Sequence, residues 1–212
     1  MGEIVRENED QLIARSQQGD VDAFNALILL YQAATYSVVY RMVGEAEAAA
    51  DITQDAFIAA YRHIESFRVG SSFRAWLLRI ASNLACDHWR RTQRHPLESL
   101  DQLGDEDELH SASDLSALIE QGEEHNPEAY ALNQELQALI QQGLQELPLD
   151  QRVAVILCDI QGLSYDEVAA TTQTTLGTVR SRIARGRKRL RDYLSRHKEL
   201  LPRQYRLPTN RE

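Results

Sequence analysis

The apolar residues of this chain recur at intervals of three and four, and no stretch alternates at two, so the sequence can build a core only from packed helices. Phe24, Leu27, Ile28, Tyr31, Ala34, Val38 and Met42 form one such stripe. Asp20 stands before it as an N-cap and Gly44 after it as a C-terminal cap. A second helix, from about Glu45 to Ile64, gathers Ile52, Ala56, Phe57, Ala60 and Ile64 on one side and Asp51, Gln54, Asp55 and Arg62 on the other. A long third helix begins at Phe73 or Arg74 and ends near Arg94, where His95-Pro96 stops it.

The periodicity then lapses. From Pro96 to about Asn126 the chain is acidic, Ser-containing and weakly apolar, although Leu115, Leu118 and Ile119 could form a short helix. It resumes at Pro127, with Leu132, Leu136, Leu139 and Ile140 leading to Leu144. Pro148 interrupts that helix, and another from about Asp150 to Ile160 buries Val153, Val155, Ile156 and Leu157 before Gly162 closes it. The expectation is an all-α protein of two small helical domains, residues 1–95 and 127–197, joined by an acidic flexible linker at 96–126 and followed by a tail at 198–212.

A net charge of −9 speaks at first against nucleic acid, because Lys and Arg must neutralise phosphates. The charge is segregated, however. Pro96 to Asp150 contains no Lys or Arg, whereas the basic residues from Arg68 to Arg94 are opposed only by Asp87, and those from Arg180 to Arg196 only by Asp192. Two basic blocks flank an acidic one, which is a distribution a DNA reader can use.

Other classes fit poorly. Cys86 and Cys158 are too few and too far apart for a disulfide framework or a zinc site. Met1 to Asp10 lacks the apolar core of a signal peptide, and the apolar run from Phe24 to Tyr31 is far short of a bilayer span, so a soluble, cytoplasmic protein is expected. There is no phosphate-binding glycine loop, paired zinc-ligand motif or nucleophile elbow, so the expectation is no catalysis, no metal and no cofactor.

Ser164 and Glu167 form a capping box opening a short helix, Gln173-Thr174 make a tight turn, and a basic helix begins near Thr175, a helix-turn-helix. On that last helix Val179, Ile183, Gly186 and Leu190 fall together and should face the core. The reverse face holds Thr178, Arg180, Ser181, Ala184, Arg185 and Lys188, small residues among arginines able to enter a major groove.

Gly162 to Ala169 and Leu176 to Leu190 resemble region four of extracytoplasmic-function sigma factors, as do Asn126-Pro127-Glu128 and Leu147-Pro148 with Arg152. Gly19-Asp20 with Ala23-Phe24, Asp51 to Phe57, Phe67-Arg68 and Phe73 to Asn83 are similar to region two in order and spacing. The resemblance implies a factor that binds core RNA polymerase and directs promoter-specific initiation. It implies that Asp51, Gln54, Asp55 and Ile58 dock on the beta-prime clamp helices, with the beta flap as a further contact. Phe67, Arg68, Ile80 and Asn83 would capture an unstacked minus-10 base, with Arg90, Arg91 and Arg94 on phosphates. Arg180, Ser181, Ala184 and Arg185 would read base edges of the minus-35 duplex, with Thr178, Arg182 and Lys188 on its backbone. An anti-sigma partner is implied as well.

Two positions depart from the family pattern. Gln173 replaces a turn glycine, so a left-handed residue is expected there, and Thr175 replaces a helix-starting proline, leaving Thr174 to cap. The competing reading is a response-regulator-like activator, although the N-terminal half lacks the alternating strands of a receiver.

Overall fold

A computed structural model describes residues 2–68, 70–94 and 127–199, the side chains of 2–8 and 127–133 excepted. The acidic segment 96–126 and most of the C-terminal tail lie outside the described residues, and so do the expectations placed on them. Among the described residues the chain is helical throughout, with no strand.

The first half comprises α1 (Gly2–Gln17), α2 (Val21–Val43), α3 (Ala46–His63), a short 3₁₀ turn (Ile64–Ser66) and α4 (Phe73–Arg94). Asp20 caps α2 as expected. Its carboxylate accepts from the Ala23 N–H at 3.0 Å and from Arg15 at 2.8 Å, and these donors hold its pKa below the ordinary carboxylate value. Gly44 ends α2 at φ 87°, its N–H donating to the Tyr40 carbonyl at 2.8 Å. By length and composition α2 could cross a bilayer. Its apolar stripe is instead spent inside the bundle, where α1, α3 and α4 all pack on it and Phe24, Leu27, Val38 and Met42 are buried.

Helix α1 is absent from the expectations. Its sequence is polar, but Leu12 and Ile13 are buried against α2, and Gln17 donates to the carbonyls of Ile64 at 3.0 Å and Phe67 at 2.8 Å. Two polar side-chain bonds thereby fix the chain as it leaves the 3₁₀ turn and approaches the loop before α4.

The second half comprises α5 (Pro127–Gln145), α6 (Leu149–Val155) continuing into a π turn (Ile156–Ile160), α7 (Tyr165–Thr172) and α8 (Leu176–Arg196). Gly162 follows the π turn at φ 69°. Helix α8 crosses α6 so closely that a Cβ on Gly186 would lie 2.6 Å from Val155 Cγ2 and 3.3 Å from the Gln151 carbonyl. Val179 and Ile183 are buried and Leu190 packs beside them, as the helical wheel requires. Cys86 and Cys158 are free thiols, and burial pushes the pKa of each upward.

The two halves, the two small helical domains expected from the sequence, are in contact. Helix α2 packs on α5 and α6, α4 packs on α7, and one hydrophobic cluster runs from Val39, Met42 and Leu78 to Leu144, Val153 and Ile183. Because Gly186 is enclosed by backbone as well as side chain, Gly186→Val forces α8 away from α6. The substitution should cost about 1–3 kcal/mol, measured as a lower urea midpoint at unchanged m-value.

Candidate nucleic-acid and polymerase interfaces

The helix-turn-helix is assembled by local capping. Ser164 Oγ accepts from the Glu167 N–H at 3.2 Å while the Glu167 carboxylate accepts from the Ser164 N–H at 2.8 Å, which is the capping box the sequence announces. Gln173 takes the left-handed conformation at φ 52°, ψ 45°, and its N–H donates to the Ala169 carbonyl. One detail is corrected. The N-cap of α8 is Thr175, whose hydroxyl accepts from the Thr178 N–H at 3.2 Å, and not Thr174. Thr174 instead continues the turn, with its N–H bonded to the Ala169 carbonyl at 3.0 Å and its hydroxyl 3.0 Å from that of Thr172.

This turn aims one face of α8 outward. Arg180, Ser181, Ala184, Arg185 and Lys188 are exposed, and Thr178 is half-buried. Arg185 lies along the helix, with its guanidinium donating to Ser181 Oγ at 3.0 Å and to the Ser181 carbonyl at 3.2 Å. Arg180 and Lys188 make no hydrogen bond or ion pair among the described residues, leaving their charges available. Arg182 is different. It pairs with Asp150 at 3.0 Å and is turned back toward α6. Arg187 is likewise held by Asp159, whose bonds raise its pKa.

On α4, Asn83 is exposed, Arg90 pairs with Asp87 at 2.8 Å, and Arg91 and Arg94 are exposed. Ile80 is half-buried where the two hydrophobic clusters meet. Phe67 is 5 % exposed and sits in an aromatic cluster, its ring 5.5 Å from Phe73 and 5.2 Å from Trp76. The structure therefore places Phe67 inside the bundle and Asn83 on its surface. Asn83 and Arg90 open instead onto a cleft of about 410 Å³ whose other wall is Asp150, Val153, Thr171 to Thr174 and Arg182.

Asp51, Gln54, Asp55 and Ile58 are exposed along α3. Gln54 and Ile58 line a groove of about 490 Å³ with Val21, Phe24, Ile28 and Gln32 of α2. Sequence reasoning found the α3 wall and missed the α2 wall. Val21, which lines the groove, is 54 % exposed, and α2 also exposes Leu29 and Leu30.

Residues 27–95 match the family model for sigma-70 region 2, and residues 137–190 match that for sigma-70 region 4. The chain is 39 % identical over 185 residues to the RNA polymerase sigma-H factor of Pseudomonas aeruginosa, covering 87 % of this chain and 93 % of that protein. It is 38 % identical over 177 residues to the extracytoplasmic-function sigma-E factor of Escherichia coli K12, covering 84 % and 89 % respectively. The chain belongs to the extracytoplasmic-function sigma factors.

The fold of this sigma factor is also that of RpoE from Bartonella quintana, solved with the anti-sigma factor NepR. The TM-score is 0.60 at 25 % identity, over 81 % of this chain and 96 % of that one. CnrH, solved with the cytosolic domain of CnrY, shares the fold with a TM-score of 0.59 at 23 % identity, over 88 % and 97 %. The region 2 match begins within α2 and ends at the close of α4, and the region 4 match runs from α5 into α8. The activator alternative finds no support, because the N-terminal half is region 2 and no receiver.

The caps of the sigma factor's helix-turn-helix carry two expectations for stability. Ser164→Ala should cost about 1 kcal/mol, and Gln173→Gly should gain about 0.5–1 kcal/mol by removing a side chain from a left-handed position. Urea denaturation of the two variants checks both, the signs being opposite.

Proposed function

We propose that this sigma factor directs core RNA polymerase to promoters by binding alone, in the cytoplasm, with the labour divided between its halves. The support lies in the outward face of α8, where Arg180 and Arg185 stand beside the small Ser181 and Ala184 on a rigidly capped helix. An arginine fork can take guanine O6 and N7 together, and small neighbours let the helix backbone approach the base edges. Arg180, Ser181, Ala184 and Arg185 read the minus-35 duplex, and Thr178 and Lys188 hold its phosphates. Arg182 joins them on the backbone once it exchanges Asp150 for a phosphate.

The first half does the opening. Asn83 offers an amide to the edge of an extruded minus-10 base, and Arg68, Arg90 and Arg91 lie exposed to meet the strand that carries it. Unstacking one base costs a few kcal/mol, within reach of binding energy without fuel. Phe67 and Ile80 act on that site only through the packing of α4, Phe67 lying in the aromatic cluster with Phe73 and Trp76. The groove between α2 and α3 takes the beta-prime clamp helices, with Ile58 as its apolar centre and Asp51, Gln54 and Asp55 as its polar rim. The beta flap and an anti-sigma protein are the other partners assigned to the chain.

Run-off transcription with core polymerase on a promoter library tests the division. Arg180→Ala and Arg185→Ala should each relax the minus-35 preference by about 1–3 kcal/mol per contacted base, leaving the minus-10 preference intact. An unchanged minus-35 preference would overturn the assignment. Lys188→Ala should weaken binding evenly across sequences and lower the salt slope by about one. Ile58→Glu should instead reduce affinity for core polymerase, read by a pull-down without DNA.

A further inference from the structure

The loop between the 3₁₀ turn and α4 is short, and both of its ends are held. At its entry the Phe67 N–H donates to the Ile64 carbonyl at 3.0 Å, and the Phe67 ring packs against Phe73 and Trp76. At its exit Ser72 caps α4, its hydroxyl accepting from the Ala75 N–H at 3.2 Å and its carbonyl from that of Trp76 at 3.1 Å. Between those points Arg68, Gly70 and Ser71 are exposed, and a Cβ added to Gly70, which has φ 90°, would meet nothing within 4 Å. The Ser71 N–H donates to the Arg68 carbonyl at 3.1 Å and closes the turn.

A loop this short takes its path from its ends, and the entry end is tied to α1. Gln17 Nε2 donates to the Ile64 carbonyl at 3.0 Å and to the Phe67 carbonyl at 2.8 Å. A primary amide nitrogen carries two N–H groups, and both are used here. Gln17 is half-buried, so water does not fully replace a bond that is lost. The amide is itself well anchored. Leu12 and Ile13 bury α1 against the bundle, Gly19 turns the chain at φ 87°, and Arg15 bridges to Asp20 at 2.6 Å. Helix α1 ends before Leu27, where the region 2 match begins, so that match assigns Gln17 nothing.

We infer that Gln17 is a positioning residue for minus-10 recognition. Through the Ile64 and Phe67 carbonyls it sets the path of the loop that carries Arg68, and thereby the preference for the extruded base, a role that rests on the proposed base capture by region 2. An extruded base is read by hydrogen bonds to its edge, and such a site must hold its groups to within about 0.5 Å. Packing of the Phe67 ring fixes where the loop starts. The two bonds from Gln17 fix the direction in which its backbone leaves.

The test uses the full chain bound to core polymerase. Gln17→Met keeps the length of the side chain and removes both donors, whereas Gln17→Glu sets a carboxylate against the two carbonyls. Affinity is measured for single-stranded oligonucleotides carrying the minus-10 element of a promoter recovered from the library, with the captured base either kept or changed. In both variants the ratio of the two affinities should fall by roughly ten-fold, the lower part of what one specifically read base contributes. Affinity for core polymerase and for a minus-35 duplex should stay at the wild-type level. A ratio that stays at the wild-type value would overturn the inference. So would a fall in all three affinities together, which would make Gln17 a general support of the fold. Asn83→Ala in the same assay separates the two readings. Discrimination that survives Asn83→Ala sinks the assignment of Asn83 to the base, whereas discrimination lost there but kept in the Gln17 variants sinks the positioning role alone.

Discussion

Much of the structure turns on one buried guanidinium. Arg152 is 3 % exposed, and burial pulls its pKa below the ordinary arginine value, a cost the chain offsets with carbonyl and amide oxygens placed around it. Within region 4 it donates to Gln145 Oε1 at 2.5 Å and to the carbonyls of Gln145 at 2.8 Å and Leu147 at 3.2 Å. It therefore caps the end of α5 and sets the angle at which α6 departs after Pro148. Its remaining bond, to the Met42 carbonyl, lies across the junction. One side chain thus serves both the internal shape of the second half and its placement on the first.

From that corner the functional surfaces follow. With α5 and α6 fixed, Gly186 lets α8 lie against α6, and the burial of Val179 and Ile183 leaves the face of Arg180 and Arg185 outward. In the first half, α1 performs a parallel task through Gln17, whose bonds to Ile64 and Phe67 fix the chain just before the loop that precedes α4. The surfaces are positioned by polar bonds to backbone carbonyls, and the apolar contacts beneath hold what those bonds orient.

Local features were the most legible in the sequence. The caps at Asp20, Gly44 and Ser164 and the left-handed Gln173 are each dictated within four residues, and each stands where residue chemistry puts it. The capping of α8 by Thr175 could not be resolved from sequence, because Thr174 and Thr175 are chemically alike and only the exit angle of the turn chooses between them. Helix α1 escaped because the residues it buries among those described, Leu12, Ile13 and Ser16, are too few to show as a stripe. The junction escaped for a different reason. Gln141 and Gln145 donate to the Tyr40 and Arg41 carbonyls at the end of α2. They read as the solvated side of an amphipathic helix, and nothing local tells an amide that meets water from one that meets the end of a helix a hundred residues away.

The same limit governs the candidate sites. The basic face of α8 could be read from a helical wheel, whereas the cleft joining Asn83 to Arg182 depends on how two halves meet. In the proposed division of labour this chain opens a promoter as well as finding one. Permanganate probing of unpaired thymines, with core polymerase and this chain on a promoter recovered from the library, tests it most directly. Reactive thymines are expected at the minus-10 element only when the chain is present, and their loss with Asn83→Ala. A promoter occupied at minus-35 whose minus-10 thymines stay paired would contradict it.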